Sequence, residues 1–143
     1  MNQLAIDPGD RNLGYALLVD GRSRVYKFGT HVTQKEQNQW ERIESIRIVI
    51  DQLITPTHEL NVVIEDGYRR GALIRLIGYL AGYFTARGNL VKTPHPAVWP
   101  KQFFGQKKDY KKAAMRWCQR NGYKPLTQHE ADALCLLEWG KKY

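Results

Sequence analysis

Cysteine is scarce in this sequence. Two residues in 143, Cys118 and Cys135, stand in no metal-binding spacing and cannot make a disulfide framework. Both fall in stretches of helical periodicity, where a thiol serves as a small buried apolar group. Long apolar runs are missing too. None approaches the roughly 18 residues of a membrane-spanning helix. The N-terminus lacks a basic stretch followed by an apolar one, so no secretory signal is expected and the protein reads as soluble and cytoplasmic. There is no internal repeat and no low-complexity tract. Negative charge is the scarcer sign, with 14 Asp and Glu against 22 Lys and Arg, a net charge of +8 and a pI near 9.6. That excess suits a polyanionic partner, most often nucleic acid, although solvated lysines alone would also produce it. A chain of 143 residues that is 43% hydrophobic and 25% charged is ordinary globular material. It suffices for one domain with a real core, spanning residues 1–143, and not for two.

Periodicity gives the coarse map. Residues 2–7 read as a short buried strand. Residues 14–20 and 24–32 read as two more, joined by Asp20-Gly21, a hairpin signal. Trp40, Ile43, Ile46, Ile50 and Leu53 recur at three- and four-residue steps and predict a helix over 36–54, ended by Pro56. Residues 61–65 (NVVIE) are an apolar run closed by a carboxylate, as in a central strand. Residues 71–87 predict a helix of little polarity, and 89–93 a short strand. The stretch 94–108 holds Pro94, Pro96, Pro100 and Gly105 and reads as an irregular loop. Helices over 109–121 and 128–140 close the chain. The order βββαβαβαα defines an α/β fold around a mixed sheet, with an antiparallel hairpin and parallel crossovers.

The chemistry lies in the carboxylates. In AIDPGDRNLGY, residues 5–15, an apolar strand stops on Asp7, and Pro8-Gly9 turns the chain away so that an ion or phosphate can approach. Glu65 closes the fourth strand. His129 and Asp132 stand at i, i+3, on one face of the last helix. If the two strands are neighbours and that helix crosses their ends, four metal donors meet. Crowded carboxylates repel and call for a cation, and hard oxygen donors suit Mg²⁺ or Mn²⁺. Two such ions about 4 Å apart would serve phosphodiester hydrolysis. Taken singly, each residue has a plainer reading. Asp7 could be a turn residue, Glu65 a partner of Arg69 or Arg70, His129 an ordinary helix-start residue, and Asp132 a partner of a lysine.

Together the motifs carry a resemblance. IDPGDRNLGY resembles the first motif of the RuvC-type Holliday junction resolvases, nucleases of the RNase H-like superfamily. VVIEDGY resembles their second motif, and HEADALCLLEW their C-terminal motif, in the same order across nearly the whole chain. The resemblance implies an RNase H-like fold with a five-stranded mixed sheet flanked by helices. It places Asp7, Glu65, His129 and Asp132 on the four catalytic, metal-binding positions, which hold two Mg²⁺ or Mn²⁺ ions. His129 is one of two accepted residues at the third position and leaves the site one negative charge fewer. Tyr68 falls where relatives place an aromatic residue that stacks on a base near the junction, though an exposed loop tyrosine is an equal reading. Basic residues before and within the penultimate helix contact phosphates in the family, which points to Lys107, Lys108, Lys111 and Lys112. Arg69, Arg70 and Arg75, near the Glu65 strand end, are further DNA-binding candidates. The implied activity is resolution of four-way junctions, and of other branched DNA, by paired metal-dependent nicks that leave 5′-phosphate and 3′-hydroxyl ends. The implied assembly is a homodimer through helix 71–87, whose apolar circumference otherwise means a helix sandwiched inside the domain. The chain is short for a bacterial member, which suits a phage or mobile-element version acting in an infected cell.

Other classes share parts of this pattern. A sugar kinase or actin-like ATPase also uses a glycine-bearing first hairpin, but needs a second domain and a second phosphate loop. A YqgF-like nuclease acting on RNA has closely related motifs. A non-catalytic branched-DNA-binding protein would have no reason to crowd carboxylates in a basic chain.

Overall fold

Side-chain alternation along the strands decides which helices cover which face. The computed structural model describes residues 2–9, 11–20, 24–25, 27–54, 59–67 and 71–143. In β1 (Asn2–Asp7), Leu4 and Ile6 enter one core, while Ala5 belongs to the other and Asp7 follows it to the same face. β2 (Asn12–Leu18) pairs antiparallel with β1, setting Asp7 opposite Gly14, and β3 (Lys27–Val32) pairs antiparallel with β2. β4 (Leu60–Ile64) lies parallel to β1, and β5 (Leu90–Lys92) parallel to β4. The sheet order is β3-β2-β1-β4-β5. The α/β class and the mixed five-stranded sheet are therefore as the sequence implied.

Two helices cover one face. α1 (Gln39–Ile54) starts with a reciprocal cap: the Glu41 amide donates to Asn38 Oδ1, and the Asn38 amide to Glu41 Oε1, both at 2.9 Å. Its Ile43, Ile46 and Ile50 meet Leu4, Ile6, Leu13, Leu17 and Ile64 of the sheet, beside Leu76, Leu80 and Phe84 of α2 (Gly71–Ala86). The opposite face is covered by α3 (Trp99–Phe104), α4 (Tyr110–Arg120) and α5 (Gln128–Lys142). There Ala5, Ala16 and Val63 pack with Ala131, Leu134 and Cys135 of α5 and with Ala114 and Cys118 of α4. Both cysteines are buried and free, as expected. Among the described residues no helix is long and apolar enough to cross a membrane.

The structure corrects three expectations and bears on a fourth point, the alternative left open for helix 71–87. The stretch 94–108 is not all loop: α3 starts with Pro100 in its first turn, where the missing N–H costs nothing, and ends at Gly105 with φ 74°. That proline marks a beginning rather than a break. β2 and β3 end and resume at Leu18 and Lys27, so their connection is longer than a turn at Asp20-Gly21, and residues 21–23 and 26 lie outside the described residues. Trp40 is 64% exposed and lines a shallow outer groove with Glu44 and Ile48, off the core stripe it seemed to continue. Finally, α2 is not sandwiched. Leu76, Ile77, Leu80 and Phe84 are buried, while Gly71, Ala72, Ile74, Gly78, Tyr79 and Gly82 face outward.

Candidate active site

Three elements converge at one end of the sheet. Asp7 ends β1, 9% exposed. Glu65 is the first residue past β4, and its amide bonds Ile6 O at 3.2 Å, which continues the parallel ladder and ties it beside Asp7. Strand alternation puts both carboxylates on the α5 face. α5 crosses that face at very short range because residue 14 is glycine: a Cβ there would lie 2.2 Å from His129 O. Gly14 is thus required by the helix above it, a role beyond opening the hairpin's return strand. Gly9 is bound as tightly within its turn, since its Cβ would meet Asn12 O at 2.1 Å. The start of α5 is pinned by a buried cluster. Thr127 Oγ1 caps the Glu130 amide at 3.1 Å, and Glu130 Oε2 accepts from Thr127 and from Thr30 of β3, each at 3.1 Å.

The four predicted side chains line one cleft of about 590 Å³, together with Lys111, Trp99, His95 and Tyr110. His129 Nδ1 lies 3.1 Å from Asp7 Oδ2. Asp132 accepts from Gln128 Nε2 at 2.9 Å and from Lys111 Nζ at 3.3 Å. Glu65 Oε2 accepts from the indole N–H of Trp99 at 2.6 Å. Among the described residues no three donors form a ready-made metal cage. Each carboxylate instead rests on a protein partner.

Electrostatics shows the crowding. Burial, then the charge of Asp7, pushes the Glu65 carboxyl up to about 7, against the opposing Trp99 hydrogen bond. Burial and Asp7 also raise Asp132, while Gln128 and Lys111 work against them. The hydrogen bond to Asp7 raises His129. Burial lowers Lys111, but Asp132, Asp7 and Glu65 together hold it above its ordinary value. Two acids held above their ordinary range, beside the Asp7 carboxylate and one imidazole, form a donor set that a divalent cation would relieve. The residues therefore fit such ions, provided that the contacts to Lys111 and between Asp7 and His129 open to admit them.

The other candidates are dispersed. Lys107, Lys108 and Lys112 line an adjoining groove rather than the cleft. Arg75 bonds Gln39 Oε1 at 2.8 Å on the far side of α2 and lines neither. Tyr68, Arg69 and Arg70 lie outside the described residues. Trp99 is the participant that sequence reasoning missed. It is 3% exposed, and only the helical register of α3 aims its N–H at Glu65. A tryptophan just after a proline-rich run was the sole available signal.

The fold is similar to that of solved Holliday junction resolvases. The chain superposes on Thermus thermophilus RuvC bound to a Holliday junction substrate with a TM-score of 0.70 at 22% identity, covering 97% of this chain and 91% of that one. Thermus thermophilus RuvC in a second structure gives 0.70 at 23%, covering 97% and 92%. The fowlpox virus resolvase in complex with Holliday junction DNA gives 0.65 at 17%, covering 99% and 98%. No family model and no curated protein matches the sequence.

Proposed function

We propose that this protein is a metal-dependent endonuclease that resolves four-way DNA junctions by paired nicks leaving 5′-phosphate and 3′-hydroxyl ends. The observation that carries this reading is the convergence of Asp7, Glu65, His129 and Asp132 in one cleft with Lys111 on its wall. The near full-length likeness in fold to two proteins solved with Holliday junctions supports the choice of substrate.

Asp7, Glu65, His129 and Asp132 would hold two Mg²⁺ or Mn²⁺ ions, which supply water activation and stabilisation of the leaving oxygen. The chain's own residues set the geometry. The Trp99 indole fixes one Glu65 oxygen and leaves the other turned to the cleft. Gln128 holds Asp132 in the same way. Lys111 meets the scissile phosphate when it leaves Asp132, and neutralises charge there. The tight turn at Pro8-Gly9 keeps backbone out of the strand's path. Tyr68, Arg69 and Arg70 follow Glu65 in sequence and contact the junction, the tyrosine by stacking on a base. Phosphate contacts of Lys107, Lys108 and Lys112 position the substrate without reading its sequence.

The outward face of α2 makes the homodimer that a two-fold substrate requires. A Cβ at Gly71, Gly78 or Gly82 would meet nothing within 4 Å, so that face is open. Light scattering behind size exclusion should give twice the chain mass, and Gly78→Arg should halve it.

The primary test incubates a labelled four-way junction, a Y-fork and a linear duplex with Mg²⁺, Mn²⁺ or chelator, beside Asp7→Asn. Symmetric nicks in the junction that depend on metal and Asp7 are expected, with junction binding by Asp7→Asn retained. Binding without cutting under either metal overturns the nuclease reading and favours an architectural role.

A further inference from the structure

α4 is rich in cations, and of these only Lys111 has an acidic partner, Asp132 at 3.3 Å. Lys111, Lys112, Arg116 and Arg120 fall within its eleven residues, and the helix contains no Asp or Glu. Two cations elsewhere on the surface are paired: Arg47 reaches Glu44 at 2.5 Å and Asp51 at 2.6 Å, and Lys141 reaches Glu138 at 3.1 Å. Two lysines in the first turn also oppose the helix dipole, a local cost that the Asp109 cap and the Lys111–Asp132 pair offset only in part.

Lys107, Lys108, Lys112, Arg116 and Arg120 line one groove of about 450 Å³, floored by Phe103, Phe104 and Trp117. Among the described residues none of these five cations makes an ion pair. The one acid in the groove, Asp109, is committed to capping the amides of Lys111 and Lys112, both at 3.1 Å. Lys112, Arg116 and Arg120 follow at four-residue steps, a stripe about 12 Å long down one side of the helix. Phe104 borders both this groove and the catalytic cleft, so the two adjoin.

We infer that the α4 groove is a phosphate track for a duplex DNA arm leaving the cleft, with Arg116 and Arg120 as its outer contacts. The inference rests on the nuclease reading for its choice of nucleic acid. An unpaired cationic stripe next to the cut supplies charge complementarity to a polyanion. Its floor of Phe103, Phe104 and Trp117, packed edge to face on one another, is mainly apolar ring surface, so the groove's chemistry is that of its cations meeting phosphate.

The test measures junction affinity against salt for the full-length protein, without metal. Each lost phosphate contact lowers the slope of log K against log salt by about 0.9, so Arg116→Gln/Arg120→Gln should lower it by about 2. Arg116→Lys/Arg120→Lys should keep the slope. Lys27→Gln/Lys35→Gln, which removes two exposed cations elsewhere, should change it little. Circular dichroism confirms that each variant folds. An unchanged slope in the Arg→Gln variant overturns the track, as does an equal fall in the Lys27/Lys35 control. A slope change on duplex RNA but not on DNA overturns the choice of DNA. If the slope behaves as expected but the wild type cuts nothing, the nuclease reading fails and the track stands. If the wild type cuts junctions and the slope is unmoved, the track alone fails.

Discussion

On one face of the sheet, Leu4, Ile6, Leu13, Leu17 and Ile64 meet α1 and α2 through branched aliphatics and Phe84. On the other, Ala5, Gly14 and Ala16 lie under Ala131 and Ala133 of α5. The first face is thick and made of side chains. The second is thin, and backbone nearly touches backbone. A thick layer buries much apolar surface and stabilises the chain. A thin layer fixes distance, which a group of four donors needs. The polypeptide separates these tasks by alternation alone: Ile6 and Asp7 are adjacent in sequence and point to opposite sides.

The comparison makes the thick face the one whose damage is thermodynamic. Leu80 is fully buried there. Leu80→Ala should cost about 2–5 kcal/mol by lost transfer energy and the cavity left behind. Denaturant unfolding measures it. Cleavage per folded molecule should stay near wild type, since Leu80 does not line the cleft. A large loss of activity in the folded protein would mean that the two faces are not separable.

Gly14→Ala strikes the thin face. The new methyl must push His129 and the start of α5 away, an overpacking cost of about 1–3 kcal/mol. Here the stability loss should be smaller than for Leu80→Ala, while cleavage falls much further, because His129 and Asp132 move with the helix. Equal ranking of the two variants in stability and activity would dissolve the distinction.

This division explains what the sequence shows and what it hides. Strand ends at Asp7 and Glu65 were legible because a charge closes an apolar run, and His129 with Asp132 because a helical i, i+3 pair shares a face. The mix of antiparallel and parallel pairing was legible from the hairpin and the crossovers, whereas the order β3-β2-β1-β4-β5, which makes β1 and β4 neighbours, is only conditional in the sequence. α3 is hidden because a proline-rich stretch reads as a loop, although at a first turn proline starts a helix. The exposure of Trp40 was hidden because periodicity gives a side of the helix, not how far the sheet extends beneath it. Gly14's closeness to His129 spans more than a hundred residues, and no local pattern encodes such a contact.

Trp99 offers a smaller cut on the thin side. Trp99→Phe keeps the aromatic packing against Phe104 but removes the donor to Glu65. Losing such an outer contact typically costs about 10–100-fold in metal affinity or activity. Calorimetric titration of the protein with Mn²⁺ should show the weakened binding directly, with the unfolding midpoint little changed. If Mn²⁺ affinity stays fixed and only stability drops, Trp99 is a packing residue and the thin face owes it nothing beyond volume.

The smallest expected effect sits on β3, where neighbouring residues anchor opposite faces. Thr30 reaches Thr127 and Glu130 on the α5 side, whereas His31 Nε2 lies 2.9 Å from Ser45 Oγ of α1. Burial lowers the His31 pKa below its ordinary 6.5. The folded protein therefore resists a proton that the unfolded chain accepts. Stability contributed by the neutral ring is full above 6.5, declines as pH falls through that value, and levels off below the folded pKa. His31→Gln can still bond Ser45 but cannot titrate. Relative to wild type, the variant should gain in melting temperature on acidification from above 6.5 to below it, with no matching change in cleavage of pre-bound junction. If the variant and wild type instead run parallel across that range, the ring is not held away from protonation. The α1 face then has no titrating anchor to set against the Thr30 cluster.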